Sequence, residues 1–365
     1  MEALDPSREI RVGLNGFGRI GRAVFRINAL AKRLRIVAVN DIDPFLDNHV
    51  HLLRYDSTYG RFGGTVAQGQ APCEVLVDGD PVRFYAERDI AAVPWEDHGI
   101  DVVIDASGVA ENVHASRDLV ASGRIQKVVV THSPKEGVDH TVIYGANDET
   151  YDDNAHHVVS TSICDSNASG PVLKRLDDAF GVESGFITTL HPWLSYQNLV
   201  DGSVRSVSSP GHHWTDFSLG RASTMSLIPK GTTLCGALDR VMPEIASRVE
   251  ATSFRVPTMI VSASDLVIRV GRDVTADDVN ALFAEAAADR PRIFGYGDDM
   301  LVSIDHAASE YSLFFDARWT RANKDRMVKM IVWYDNEWGY SQRVVDMAER
   351  VARPEMATLA EAATA

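Results

Sequence analysis

Apolar positions along the chain fall into two textures. In the first half, short continuous apolar runs alternate with stretches of helical period. EIRVGLN (9–15), RIVAVN (35–40), DVVIDAS (101–107), KVVVTH (127–132), HTVIYG (140–145) and HHVVST (156–161) are short and rich in β-branched residues. That is the pattern of strands buried on both faces. RAVFRINALAKRL (22–34), PFLDNHVHLLRYD (44–56) and ENVHASRDLVASG (111–123) read as helices, the last stopped by Gly123. CEVLVDGDPVRFYAERD (73–89) alternates on either side of Asp78-Gly79 and reads as a hairpin. Strands alternating with helices predict a mostly parallel, doubly wound sheet.

Beyond residue 162 the texture changes. ESGFITTLH (183–191) reads as a strand ending at His191. ATSFRVPTMIVSASDLVIRVG (251–271) reads as two alternating strands broken around Ser262–Ser264. MLVSID (300–305), YSLFFDA (311–317) and RMVKMIVWY (326–334) read as further strands. One helix stands among them, VTADDVNALFAEAAAD (274–289), with Thr275 as its N-cap. Residues 201–221, serine- and glycine-rich without an apolar period, read as a loop. Long alternating strands with few helices predict a mainly antiparallel sheet, hence an α+β domain. The final helix, NEWGYSQRVVDMAERVA (336–352), carries an apolar stripe at Val344, Val345, Met347 and Val351, able to pack back on the first half. The expected fold is therefore an α/β Rossmann doubly wound domain over 9–162, completed by a helix at 336–353, plus an α+β catalytic domain over 163–335.

Composition narrows the function classes. The net charge of −15 makes a phosphate-backbone partner unsuitable, so no nucleic acid is expected. Three widely spaced cysteines, Cys73, Cys164 and Cys235, make no disulfide framework and fit a reducing compartment. The first residues carry no apolar signal core, and no apolar run reaches a membrane span. A soluble, cytoplasmic protein is expected, with no membrane partner and no resident metal.

Two stretches carry chemistry. Gly16-Phe17-Gly18-Arg19-Ile20-Gly21 lies between the first strand and the first helix, and the second strand ends at Asp41, 20 residues beyond Gly21. Strand, G-x-G-x-x-G, helix, strand and acid together form the dinucleotide fingerprint. The glycines let the backbone approach a pyrophosphate at a helix N-terminus. A carboxylate at 41 accepts from a ribose 2′-hydroxyl and repels a 2′-phosphate, which favours NAD over NADP. The second stretch is Val158–Ala168. Here a strand ends in a polar turn, and Cys164 opens a helical pattern. A helix N-terminus favours thiolate over thiol, and the thiolate is the nucleophile.

With these pieces in hand, the chain resembles the glyceraldehyde-3-phosphate dehydrogenase family from about residue 9 to residue 352. The resemblance rests on NGFGRIGR at 15–22, ND at 40–41, YDSTYGRF at 55–62, ERD at 87–89, S-x-C-x-x-N at 162–167, TTLH at 188–191, FRVPT at 254–258 and WYDNEWGYS at 333–341. It implies Cys164 as nucleophile, His191 as base, NAD as cofactor, a small phosphorylated aldehyde as substrate and a homotetramer. It also implies an NAD site drawn from Asn15, Gly16, Phe17, Gly18, Arg19, Ile20 and Asp41. Arg88 would lie near the adenosine, Ser107-Gly108 along the dinucleotide, Asn336 on the nicotinamide amide and Tyr340 beside it.

The departures from the family pattern concern anions. The family's S-C-T-T-N-C becomes Ile163-Cys164-Asp165-Ser166-Asn167-Ala168. A phosphate-binding serine and threonine are thus replaced by an isoleucine, which donates nothing, and a carboxylate, which repels phosphate and opposes thiolate formation. After His191 the T-x-T-Q pattern becomes Leu194-Ser195-Tyr196-Gln197. Of the anion sites the resemblance leaves Arg255, Arg221 and Thr232, with Thr233 in place of a glycine and Tyr196 able to reach from further out. Arg205, His212 and His213 of the 201–221 loop, which is about ten residues longer than the family's, are candidate new donors. Two enzymes fit: a phosphorylating dehydrogenase with a rebuilt anion site, or a non-phosphorylating dehydrogenase of a different short aldehyde whose thioester is hydrolysed with water oriented by Asp165. A non-catalytic NAD-binding redox sensor is the reading from another class, and retention of both Cys164 and His191 argues against it.

Overall fold

The structure, a computed structural model, describes residues 9–205 and 215–353. The chain forms two compact units. Of the described residues, one comprises 9–141, 151–161 and 341–353; the other comprises 142–150, 162–205 and 215–340. His212 and His213 lie outside the described residues.

The first unit is built on one sheet. From one edge its strands run His140–Thr141, Val158–Ser160, Lys127–Val130, Val102–Asp105, Arg11–Asn15, Arg35–Asn40, Asp80–Tyr85, Glu74–Val77 and Val66–Gln68. Pairing is parallel as far as Asp80–Tyr85; the last two strands are added as antiparallel hairpins. Every residue of Val102–Asp105 and Lys127–Val130 is buried, as continuous apolar runs require of a sheet covered on both faces. At Gly13 a Cβ would come within 2.7 Å of the Trp95 ring, so the indole lies directly on the central strand. Part of the last helix, Trp338–Ala352, belongs to this unit, where Arg33 pairs with Asp346 and Glu349.

The second unit holds an eight-stranded sheet. Its main order is Ile228–Lys230, Val249–Val256, Val182–Pro192, Ser262–Val270, Met327–Tyr334, Leu313–Asp316 and Phe294–Gly297, with Arg321–Ala322 pairing Met327–Tyr334. Pairing is antiparallel except between Val182–Pro192 and Val249–Val256, and between Phe294–Gly297 and Leu313–Asp316. Helix Cys164–Phe180 packs on one face with Val172, Leu173 and Leu176 buried. Thr275 caps helix Ala276–Asp289, accepting from the Asp278 N–H.

Three sequence expectations are corrected. MLVSID is not a strand: Met300, Val302 and Ile304 are exposed, and Asp305 turns the chain by accepting from the Val302 N–H (2.8 Å). The strand in that region is Phe294–Gly297. HTVIYG pairs only at His140–Thr141, because the Asn147 side chain takes the Ile143 N–H (2.8 Å) and Gly145 turns at φ 87°. The break between the two strands of 251–271 falls at 257–261, and Ser262–Ser264 are inside the second strand, buried. Small buried serines there make room for the helix above, and Ser169 Oγ lies 3.2 Å from Ser264 Oγ.

Candidate active site

The cofactor motif folds as its glycines dictate. Gly16 adopts φ 92°, and a Cβ on it would lie 2.6 Å from the Ser107 backbone nitrogen. A Cβ on Gly21 would lie 2.1 Å from the Gly16 carbonyl oxygen, so only glycine closes this turn. Gly18 is the N-cap of helix Arg19–Ala31 with no side-chain cap, and the space where its Cβ would stand is open. Uncapped N–H groups facing open space fit a pyrophosphate. Asn15 donates to Asp105 (2.9 Å), and the Ser107 hydroxyl donates to the same carboxylate (2.6 Å). Asp41 follows its strand, where Oδ2 accepts from the Phe17 N–H (2.7 Å) and ties the acid to the glycine turn. Phe17 is buried against Phe25 and Phe84, Arg19 pairs with Asp56, Ile20 is half-buried, Gly108 takes φ 70° and Arg88 is exposed. In the second unit Asn336 is 5% exposed, and its Oδ1 has no hydrogen-bond partner. An unsatisfied buried amide oxygen suits an amide N–H donor such as that of a nicotinamide. Tyr340 is buried and donates to the Ser162 carbonyl (3.0 Å).

Cys164 is presented by a tight elbow. Ser162 is buried with φ 60°, a left-handed conformation that costs a non-glycine residue energy. Ser166 secures the turn: its hydroxyl oxygen accepts from the Ile163 N–H (3.2 Å) and lies 2.8 Å from Ser162 Oγ. The helix then begins at Cys164.

Opposite it, sheet register gathers the partners. His191 pairs with Arg255, Arg255 with Ile228, Ser253 with Lys230, Leu190 with Ala263, and Ser262 with Tyr334. Paired residues share a face and the side-chain period is two, so His191, Arg255, Lys230 and Tyr334 stand on one face of the sheet.

The resulting cluster is tight. Cys164 Sγ lies 3.6 Å from His191 Nε2 and 3.6 Å from Asp165 Oδ1. His191 Nε2 and Asp165 Oδ1 are 4.0 Å apart. The Tyr334 hydroxyl donates to Asp165 Oδ1 at 2.7 Å. His191 Nδ1 is 2.8 Å from the Pro192 carbonyl, which can only accept, so the proton sits on Nδ1 and Nε2 offers a lone pair toward the thiol. Burial, reinforced by Arg255, lowers the His191 pKa to about 4, and the imidazole is neutral at neutral pH. Burial first, then Asp165, pushes the Cys164 thiol well above its usual range. This reverses the sequence expectation of a thiolate. A helix N-terminus contributes roughly 0.3–2 kcal/mol, whereas burial and an adjacent carboxylate each shift a pKa by whole units. The resting pair is thiol and neutral imidazole.

The expected anion residues divide. Arg255 is buried, its Nη2 reaches the Tyr196 hydroxyl at 3.4 Å, and its Nε has no partner. Thr232 Oγ1 accepts from the Leu234 N–H (3.2 Å) just ahead of helix Leu234–Asp239, whose N-cap residue Thr233 is exposed. Arg221 is an exposed ion partner of Asp201 (3.0 Å). Arg205 is exposed. Sequence reasoning missed Lys230. It is half-buried, and its ammonium makes no hydrogen bond or ion pair among the described residues. Burial, then Arg255, lowers its pKa to about 8, while Asp165 and Cys164 act in the opposite sense. The only signal was a lysine two residues before Thr232 in a short apolar strand. Tyr334 was missed as well, because alternation marks it only as an inward position.

A Rossmann unit with an open, uncapped phosphate turn and a second unit with paired cysteine and histidine define an NAD-dependent oxidoreductase. Residues 10–113 match the family description "Glyceraldehyde 3-phosphate dehydrogenase, NAD binding domain", and residues 163–336 match "Glyceraldehyde 3-phosphate dehydrogenase, C-terminal domain". The chain is 36% identical over 347 residues to glyceraldehyde-3-phosphate dehydrogenase 2 of Saccharomyces cerevisiae, covering 94% of this chain and 99% of the relative. It is 38% identical over 347 residues to glyceraldehyde-3-phosphate dehydrogenase of Wickerhamomyces ciferrii (94% and 98%), and 38% identical over 341 residues to glyceraldehyde-3-phosphate dehydrogenase 2 of Streptomyces arenae (93% and 97%). The chain belongs to the glyceraldehyde-3-phosphate dehydrogenase family, and its cofactor is NAD. No helix among the described residues is long and apolar enough to cross a membrane.

Proposed function

We propose that the enzyme oxidises a small aldehyde bearing an anionic group and passes the acyl group to water. Cys164 is the nucleophile and His191 the base. Asn15 to Ile20, Asp41, Arg88, Ser107, Gly108, Asn336 and Tyr340 would hold NAD, which when bound supplies the hydride acceptor. His191 Nε2 takes the thiol proton as Sγ bonds to the aldehyde carbon, which offsets the cost of making a partly buried thiolate. His191 passes that proton to the aldehyde oxygen, giving the thiohemiacetal hydroxyl and returning to the neutral form; it then takes the hydroxyl proton as the carbon gives up its hydride to the acceptor, leaving a thioester on Cys164. Arg255, helped by Lys230 and Tyr196, would hold the substrate's anionic group; Thr232, Thr233 and Arg221 are weaker candidates.

The observation that carries the choice of water is the Asp165 carboxylate, 3.6 Å from Sγ and fixed by Tyr334 where the family has a threonine. A negative charge there disfavours phosphate as the attacking group and can accept a proton from a water beside the thioester. A phosphorylating reaction is the second reading, favoured by the two cations Arg255 and Lys230. A homotetramer, inferred from the family, is supported by Phe186 and Leu190, exposed on the sheet face away from the cluster.

The test is NADH formation from glyceraldehyde 3-phosphate with and without inorganic phosphate. Turnover independent of phosphate supports hydrolysis. Strict dependence on phosphate overturns it in favour of the second reading.

A further inference from the structure

The replacement of a threonine by Asp165 does more than alter the charge beside the nucleophile. It adds a third ligand type to a cysteine and a histidine that already face each other. Among the described residues, Cys164, Asp165 and His191 form the one group of three metal-ligating side chains whose ligand atoms all lie within 4.8 Å of one another. We propose that this trio is a binding site for a thiophilic divalent cation, zinc above all, and that the bound ion reversibly blocks the enzyme. The proposal holds whether the acyl acceptor is water or phosphate.

The geometry is that of a tetrahedral site before its ion arrives. Zinc–sulfur, zinc–nitrogen and zinc–oxygen bonds of about 2.3, 2.0–2.1 and 2.0–2.2 Å imply separations of roughly 3.5–3.6 Å from sulfur to either partner, and about 3.4 Å between nitrogen and oxygen. The observed separations from sulfur are both 3.6 Å, and the nitrogen–oxygen separation is 4.0 Å. Closing that last gap takes a shift of about half an ångström.

The surroundings are arranged as metal sites require. The Nδ1–H of His191 donates to the Pro192 carbonyl, which fixes the tautomer that leaves Nε2 free and orients the ring. The Tyr334 hydroxyl holds the Asp165 carboxylate, the outer support usual for a ligating acid. A thiolate, a carboxylate and a neutral imidazole bring two negative charges to a doubly charged ion. The loaded cluster is therefore neutral and compatible with Arg255 and Lys230 nearby. Sulfur and imidazole nitrogen select zinc over magnesium or calcium, which take oxygen donors. On binding, the Cys164 S–H bond breaks, a sulfur–zinc bond forms and the proton leaves to solvent. Water fills the open fourth position. With Sγ and Nε2 both occupied, neither nucleophile nor base is available.

The experiment is titration of the full chain with zinc sulfate by calorimetry, in a Cys73→Ser, Cys235→Ser background, together with cobalt(II) substitution read by absorption. The expected result is one ion per subunit, a thiolate-to-cobalt charge-transfer band, protection of Cys164 from a pyridyl disulfide, and recovery of activity with EDTA. Asp165→Thr should weaken binding at least roughly tenfold, since loss of even an outer support costs a metal site that much. Asp165→Glu, which keeps the carboxylate, should lose less than Asp165→Thr. Absence of binding, a cobalt spectrum without the charge-transfer band, or equal affinity in Asp165→Thr would each overturn the proposal.

Discussion

Neutralising Asp165 tests the account of the resting thiol. Asp165→Asn removes one negative charge 3.6 Å from Cys164 Sγ, keeps the side-chain volume and retains an oxygen to accept from Tyr334. Two unit charges at that distance, at an effective dielectric constant of about 20, repel by roughly 4–5 kcal/mol. The amide dipole and local water reduce this, so we take about 3 kcal/mol as the change felt by the thiolate. That is a rise of roughly a hundredfold in thiolate population at fixed pH. A less basic thiolate attacks more slowly, with a Brønsted coefficient of about 0.4–0.5, which cancels about half of the gain on a logarithmic scale. The net expectation is an approximately tenfold faster reaction of Cys164 with a pyridyl disulfide at neutral pH, followed by thione release and assigned by peptide mass spectrometry. In the wild type the exposed Cys73 should label before Cys164. Equal or slower labelling of Cys164 in Asp165→Asn would refute the claim that this carboxylate sets the thiol's proton affinity. It would leave burial as the whole cause.

Three further outcomes follow from named contacts. His191→Gln should lower acylation by roughly 10²–10⁴-fold in stopped-flow bursts; because the folded pKa of about 4 lies below the unfolded value, the wild type should lose roughly 3 kcal/mol of stability as pH falls from about 6.5 to about 4, and urea melts of the variant should lack that slope. Lys230→Met should raise KM for an anionic aldehyde with little change in kcat, and the wild-type KM should itself rise above pH 8, where Lys230 loses its charge, a feature absent from the variant's pH profile. Gly21→Ala places a methyl 2.1 Å from the Gly16 carbonyl and should abolish NAD binding in fluorescence titrations, without changing the labelling rate of Cys164 in the free enzyme.

What the sequence determined by itself were the features fixed by local rules. Continuous β-branched runs separated by helical periods require a doubly wound sheet. Glycines at 16, 18 and 21 followed by Asp41 require a dinucleotide turn. A strand, a polar turn and a helical pattern place Cys164 at a helix start. These patterns depend on neighbours a few residues away, and the structure reproduces them. MLVSID failed because alternation tells only which residues share a side of an extended segment, not whether anything covers that side. Met300, Val302 and Ile304 remain exposed.

Tertiary structure decided which groups surround Cys164 and how deeply they are buried. His191 and Tyr334 reach the thiol's surroundings through strand register, a relation between segments far apart in the chain. Lys230 joins Arg255 for the same reason, and its altered proton affinity comes from burial that no local motif encodes. The helix N-terminus, legible in the sequence, argued for a thiolate. Asp165, legible beside it, argued the other way; desolvation, which only packing supplies, is the largest effect and leaves a thiol.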